Sequence, residues 1–229
     1  MGRYVRAVSV CAVLFDFDGL LVDTEMAGYR AWAALYDEFG ITPRFDLWCE
    51  HVLAVSDHID LSEELAAAVG RQDWESLHAR RRHIRSALST VMPGATEIVA
   101  TTRESGLRTG IVSNSSGAWL AERMDYVGMS VSAFDVIITA DDGLLKKPAP
   151  DAYLAALAAL GIRPDQAVAF EDAPRGVEAA RAAGLFCVAV PNEVTALGDF
   201  RLANRVFGSL ERVTMRDLLD AAEDFYSHR

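Results

Sequence analysis

Four short stretches of this chain carry residue types that can do chemistry together. In Phe15-Asp16-Phe17-Asp18-Gly19-Leu20-Leu21-Val22-Asp23-Thr24-Glu25, two aspartates one residue apart stand where a long apolar run stops. Ser113-Asn114-Ser115-Ser116-Gly117 places hydroxyls and an amide at the start of a helical pattern. Lys146-Lys147-Pro148-Ala149-Pro150-Asp151 sets cations beside a stiff loop, and Glu171-Asp172 ends another apolar run before Ala173-Pro174-Arg175-Gly176. A carboxylate can act as a nucleophile and a second one can carry a proton. Hydroxyls and N–H groups at a helix start hold anions. Acids that end a buried strand are costly unless paired or bound to metal, and an all-oxygen donor set suits magnesium.

Each stretch also has a plain structural reading. A paired aspartate occurs in sugar-nucleotide transferases, calcium loops and surface turns. An EF-hand loop needs glycine sixth and glutamate twelfth, whereas counting from Asp16 the glycine is fourth and Ala27 is twelfth, so that reading is excluded. A Ser/Asn/Ser cluster serves as a helix N-cap, a lysine pair as a solvent-facing loop, and Glu171-Asp172 as an acidic cap for the helix at Pro174.

The elements that position these residues alternate between strand and helix. Ala7 to Phe15 is uncharged and rich in Val, Leu and Phe, as a central parallel strand covered on both faces should be. The carboxyl end of such a strand is where open α/β sheets bind ligands. Helical spacing then runs from Thr24 to Phe39, Phe45 to Val55, Leu61 to Val69 and Trp74 to Leu88 with no convincing strand between. From Gly94 the alternation resumes. Helices are expected over Ala95 to Glu104, Ala118 to Val127, Pro150 to Leu160, Pro174 to about Gly184 and Met215 to Phe225. Strands are expected at Gly110 to Ser113, Phe134 to Thr139, Ala167 to Glu171 and Phe186 to Val190.

Composition narrows the function. A chain of 229 residues that is 51% hydrophobic can bury a sizeable core. A net charge of −11 disfavours nonspecific nucleic-acid binding and attraction to an acidic membrane surface. No apolar stretch reaches the roughly 18 residues of a membrane span. Arg3 and Arg6 before an apolar run mimic a secretory signal, but the run ends in Asp16 and Asp18 without a small-residue cleavage site. Cys11, Cys49 and Cys187 lie far apart with no zinc or CxxC spacing, which fits a reducing cytosol. The expectation is a cytoplasmic monomer with neither nucleic-acid nor membrane partners.

Taken in order, the four stretches resemble the motifs of the haloacid dehalogenase superfamily of phosphohydrolases, in its branch of C1-capped phosphatases and beta-phosphoglucomutase relatives. That resemblance spans Asp16 to Asp172 and implies an α/β fold: a Rossmann-like parallel sheet core, residues 1–24 and 90–229, with an inserted all-helical cap, residues 25–89. It implies a magnesium-dependent phosphohydrolase acting on a small phosphorylated metabolite. Asp16 would be the nucleophile that forms an aspartyl-phosphate, and Asp18 the general acid and then base. Ser113, Asn114 and Lys147 would hold phosphoryl oxygens. Asp16, the Asp18 backbone carbonyl, Glu171 and Asp172 would hold Mg2+.

Three rivals follow. The Asp-Gly-Leu-Leu-Val-Asp-Thr-Glu run and the Glu-Asp-Ala segment are similar to those of sugar phosphate mutases. Those enzymes place a histidine in the stretch matched here by Gly28, and a Gly-Arg loop where this chain has Cys49-Glu50-His51-Val52-Leu53. A dehalogenase leaves Asp18, Glu171 and Asp172 unexplained. A noncatalytic phosphate-binding regulatory module keeps the fold without the chemistry. In the helical segment, the run Arg80, Arg81, Arg82 and Arg85 reads as a solvated face, with Arg81 the member aimed toward the cleft along the Leu77, Arg81, Ile84, Leu88 stripe. Trp32, Trp48, Trp74 and Trp119 read as packing residues.

Overall fold

The computed structural model describes residues 9–53, 61–70 and 73–228. The chain opens with β1 (Ala12–Phe15), followed by β2 (Val22–Asp23), α1 (Glu25–Asp37), α2 (Phe45–Leu53), α3 (Leu61–Val69), α4 (Trp74–Leu88) and β3 (Thr90–Val91). The second part alternates: α5 (Ala95–Glu104), β4 (Arg108–Val112), α6 (Gly117–Val127), β5 (Val136–Ile138), α7 (Asp151–Leu160), β6 (Ala167–Glu171), α8 (Pro174–Ala182), β7 (Phe186–Ala189), β8 (Arg205–Val206) and α9 (Met215–Ser227).

Among the described residues the main sheet has the order β5-β4-β1-β6-β7-β8, with every paired register parallel. β1 lies between β4 and β6, with Phe15 level with Ile111 on one side and Phe170 on the other. The strand order reverses there, which opens a crevice at the carboxyl ends. Side-chain alternation splits β1 between two cores. Val13 and Phe15 pack with Ile98, Leu120, Met124 and Leu218 from α5, α6 and α9. Ala12 and Leu14 pack with Ala152, Tyr153, Ala156 and Val177 from α7 and α8. On that second side β6 and β7 present Ala167, Ala169, Cys187 and Ala189, small residues that let the two helices approach closely.

β2 and β3 form a short antiparallel ribbon, Val22 opposite Val91 and Asp23 opposite Thr90. Through it the chain leaves the sheet for α1 to α4 and returns. These helices bury their own cluster, with Trp32, Leu35 and Tyr36 of α1 against Leu47, Trp48, Leu61, Leu65 and Leu77. Neither β2, β3 nor β8 is foreseen in the sequence, because two residues are too few to show a period. The strand expected from Ala7 begins at Ala12, with residues 7–8 outside the described ones, as are residues 54–55 of the second expected helix. Among the described residues no helix is long and apolar enough to cross a membrane.

Candidate active site

The carboxyl end of β1 delivers Asp16, whose N–H still donates to the Phe170 carbonyl at 2.9 Å. The chain then turns sharply. Gly19 adopts φ +82°, its N–H donating to the Val22 carbonyl at 2.8 Å. A Cβ there would sit 2.4 Å from Asp172 Oδ2, so glycine supplies both the backbone sign and the clearance. Asn192, just beyond β7, ties the two segments together: its Nδ2 donates to Asp172 Oδ2 at 2.8 Å and to the Gly19 carbonyl at 3.0 Å.

Lys147 is buried, and its ammonium donates to Asp16 Oδ1 at 2.5 Å, Glu171 Oε1 at 2.6 Å and the Val112 carbonyl at 2.7 Å. The Lys147–Pro148 peptide bond is cis. Asn114 holds this segment in both directions: Oδ1 accepts from the Lys147 N–H at 2.9 Å, and Nδ2 donates to the Lys147 carbonyl at 3.2 Å. Lys147 rather than Lys146 therefore enters the site. Glu171 Oε1 also accepts from the Tyr153 hydroxyl at 2.5 Å. Its other oxygen lies over the first turn of α8, where a Cβ on Gly176 would fall 1.9 Å from Oε2.

Asp16, Glu171 and Asp172 each place a carboxylate oxygen within 4.8 Å of the others, and all three are buried. Burial pushes the Asp16 carboxyl up to about 7, the Glu171 and Asp18 charges adding to the rise and Lys147 opposing it. Burial, then the Asp16 and Glu171 charges, holds Asp172 well above the usual carboxylate range. Burial alone would lower the Lys147 ammonium, but Asp16 and Glu171 outweigh it and raise that group. The cavity above this cluster has a volume of about 100 Å³. Among the described residues it is lined by five carboxylates (Asp16, Asp18, Glu25, Glu171 and Asp172) against three cations, Arg85, Lys147 and Arg175. That excess of negative charge, built from oxygen donors alone, fits a hard divalent cation.

Asp18 lies beside the cluster and is held by three donors. Ser115 Oγ donates to Oδ2 at 2.7 Å, with Ser113 Oγ at 3.4 Å from the same oxygen. Trp119 Nε1 donates to Oδ1 at 2.9 Å. The serine cluster thus divides: Ser116 is the N-cap of α6, its Oγ accepting from the Trp119 N–H, while Ser113 and Ser115 face Asp18. Sequence reasoning took Trp119 for packing alone, and its indole N–H corrects that. The basic run is corrected too. Arg85, not Arg81, lines the carboxylate cavity, while Arg81 lies over the Trp32 ring at 4.9 Å in an adjoining cavity of about 370 Å³. Arg80 pairs with Glu38 on the outside.

Every candidate, Asp16, Asp18, Ser113, Asn114, Lys147, Glu171 and Asp172, lines the one cavity at the sheet's switch point. Ser115, from the same serine stretch, and Arg85, from the basic run, line it too, while Trp119, Tyr153 and Asn192, which no motif announces, hold Asp18, Glu171 and Asp172 from behind. A parallel sheet whose crevice collects buried carboxylates around a lysine defines an α/β enzyme. The chain belongs to the haloacid dehalogenase-like hydrolases, whose family model matches residues 13–190. That family generally works with a divalent metal ion, and the buried acidic cluster is present here. The chain is 32% identical to hexitol phosphatase A of Escherichia coli (strain K12), over 88% of this chain and 92% of that protein. It superposes on CbbY from Rhodobacter sphaeroides in complex with phosphate with a TM-score of 0.71, at 26% identity, covering 92% of this chain and 99% of that one. A mutant of the same CbbY in complex with xylulose-(1,5)bisphosphate gives a TM-score of 0.68, again at 26% identity, covering 89% and 96%.

Proposed function

We propose that this protein is a magnesium-dependent phosphatase of a small phosphorylated metabolite, a sugar or polyol phosphate in the manner of its named relatives, working through an aspartyl-phosphate. The observation that carries this reading is the meeting of Asp16 and Lys147 at 2.5 Å inside a buried carboxylate cluster, with Asp18 alongside. An Asp16 oxygen bonds to phosphorus as the bond to the leaving alkoxide oxygen breaks, and Asp18 gives that oxygen a proton. Asp18 then takes a proton from water, whose oxygen attacks phosphorus, breaks the bond to Asp16 and releases inorganic phosphate.

Ser113, Asn114 and Lys147 receive the phosphoryl oxygens, with the N-terminus of α6 adding favourable partial charge. Asn114 also fixes the Lys147 backbone. Asp16, the Asp18 backbone carbonyl, Glu171 and Asp172 would hold the ion, which when bound acts as Lewis acid and template for the phosphoryl group. Residues 25–89 act as a cap over a core of 1–24 and 90–229, the β2–β3 ribbon serving as the hinge. A cytoplasmic location agrees with the free Cys11, Cys49 and Cys187.

Gly28 favours phosphatase over mutase. A Cβ at that position would lie 2.7 Å from Trp48 Cζ2, so the indole already fills the space a mutase histidine would need. Trp48 is fixed there by Nε1 donating to the Glu25 carbonyl at 3.1 Å. Replacing Asp16 with Asn is expected to abolish release of phosphate from a phosphorylated-metabolite panel while the circular dichroism spectrum is unchanged. Turnover above a few per cent of wild type would refute the nucleophile assignment.

A further inference from the structure

The last turn of α4 meets α6 through consecutive residues, and the contact runs straight into Asp18. The final carbonyls of a helix lack intrahelical partners. Two of those in α4 are satisfied across the boundary: Arg123 Nη1 donates to the Ser86 carbonyl at 2.7 Å and Tyr126 Oη to the Ala87 carbonyl at 3.0 Å. Arg85, one residue earlier, lays its guanidinium over the Trp119 ring at 4.6 Å. Its Nε donates to the Thr24 carbonyl at 3.1 Å, and it lies 3.8 Å from Glu25, both at the start of α1. Trp119 in turn donates to Asp18 Oδ1. An indole N–H can only donate, whereas the serine hydroxyls on Oδ2 can donate or accept, so the indole sets which way the carboxylate faces.

We infer that Trp119 is a positioning residue that aligns the Asp18 carboxylate, and that Arg85 makes this alignment depend on the seating of α1 and α4 over the sheet. The inference rests on the reading of Asp18 as acid and base. Packing alone would need an apolar ring against the core, and Trp119 does touch that cluster. It would not need the N–H on a carboxylate oxygen inside the cavity, nor a cation from the opposite helix over the ring.

The test is Trp119→Phe, which keeps a ring for Arg85 and removes the N–H. With magnesium present, turnover is measured on 4-nitrophenyl phosphate, whose leaving group needs no proton, and on phenyl phosphate and β-glycerophosphate, whose leaving groups need one. A lost proton donor costs about 100-fold or more. Because kcat/KM ends with departure of the leaving group and so leaves out the later base step that all three substrates share, a misaligned donor should lower kcat/KM about 10-fold on the two demanding substrates and under about 3-fold on 4-nitrophenyl phosphate. An equal loss of kcat/KM on all three, or none on any, overturns the inference.

Asp18→Asn separates the two layers. If it leaves the demanding substrates unharmed, the acid/base reading fails; if it harms them while Trp119→Phe does not, the positioning role alone fails. A readout independent of turnover uses the indole N–H signals of the chain's four tryptophans in a 1H–15N spectrum. The signal missing from Trp119→Phe must shift in Asp18→Asn and in Arg85→Gln, and a signal unmoved by Asp18→Asn overturns the inference.

Discussion

Replacing Lys147 with Met keeps the length of the side chain and removes every hydrogen-bond donor. The ammonium serves three acceptors, Asp16 Oδ1 at 2.5 Å, Glu171 Oε1 at 2.6 Å and the Val112 carbonyl at 2.7 Å, all where water does not reach freely. Removing one partner of a buried ion pair costs about 3–5 kcal/mol. For a chain of this size about 1 kcal/mol moves the Tm by about 2–4 °C, so the drop should be about 6–20 °C. The variant has one escape, which is to protonate Asp16: burial already pushes that carboxyl up to about 7 while Lys147 opposes it. Protonation becomes harder as pH rises, so the deficit must be larger at about pH 8.5 than at about pH 6. Thermal unfolding at the two pH values, in the presence of a chelator, measures both numbers. A drop under about 2 °C at each pH, or a smaller drop at the higher pH, would refute the account of Lys147 as the counter-charge of the cluster.

In wild type without divalent cation, the raised Asp16 value contributes stability that is complete below about pH 4 and lost as pH rises through about 7. The Tm should fall across that window, and saturating magnesium should flatten the fall; an unchanged slope with magnesium counts against the cluster as the metal site. Gly28→His pushes a side chain into Trp48, 2.7 Å from its own Cβ, and overpacking of this kind costs about 1–3 kcal/mol. Its expected result is a lower Tm and no glucose phosphate interconversion with a bisphosphate primer; an unshifted Tm would show that the indole yields easily. Gly176→Ala sets a methyl 1.9 Å from Glu171 Oε2 and must displace that carboxylate, and Lys147 with it. Calorimetric titration should show weaker magnesium binding, and equal affinity would mean that Glu171 can move without disturbing the ion.

Three of the four motif segments were legible because each starts within two residues of a strand end in a sheet whose strands read as plain apolar runs; the Lys147 segment lies well past β5, which ends at Ile138, and was legible from its Pro-Ala-Pro instead. Once Ala12–Phe15, Arg108–Val112 and Ala167–Glu171 are parallel neighbours, Asp16, Ser113 and Glu171 must come out at the same edge. Strand geometry alone carries them there. The partners that orient them come from helices and loops, where no local pattern announces a long-range contact. Trp119 reaches Asp18 across 101 positions and Asn192 reaches Gly19 across 173. Trp119 also has the spacing of a packing residue, with Leu120 and Arg123 beside it on α6, and its ring does pack. What distinguishes it is the direction of one N–H.

The same distinction separates the two arginines of α4. Arg81 shares a stripe with Leu77 and Ile84, and apolar periodicity points it inward, as found; but inward on α4 means the Trp32 side of the helical cluster rather than the carboxylates. Arg85 is one turn later, where α4 descends toward the sheet, and the depth along the helix rather than the face decides which cavity it enters. Depth is fixed by where the helix ends, and α4 ends where Arg123 and Tyr126 take up its last free carbonyls. Two side chains on α6 thus hold the same turn of α4 that lays Arg85 over Trp119. The wider space between Trp32, His78 and Trp48 opens beside the carboxylate cavity, with Glu25, Val52, Arg85 and Arg175 lining both.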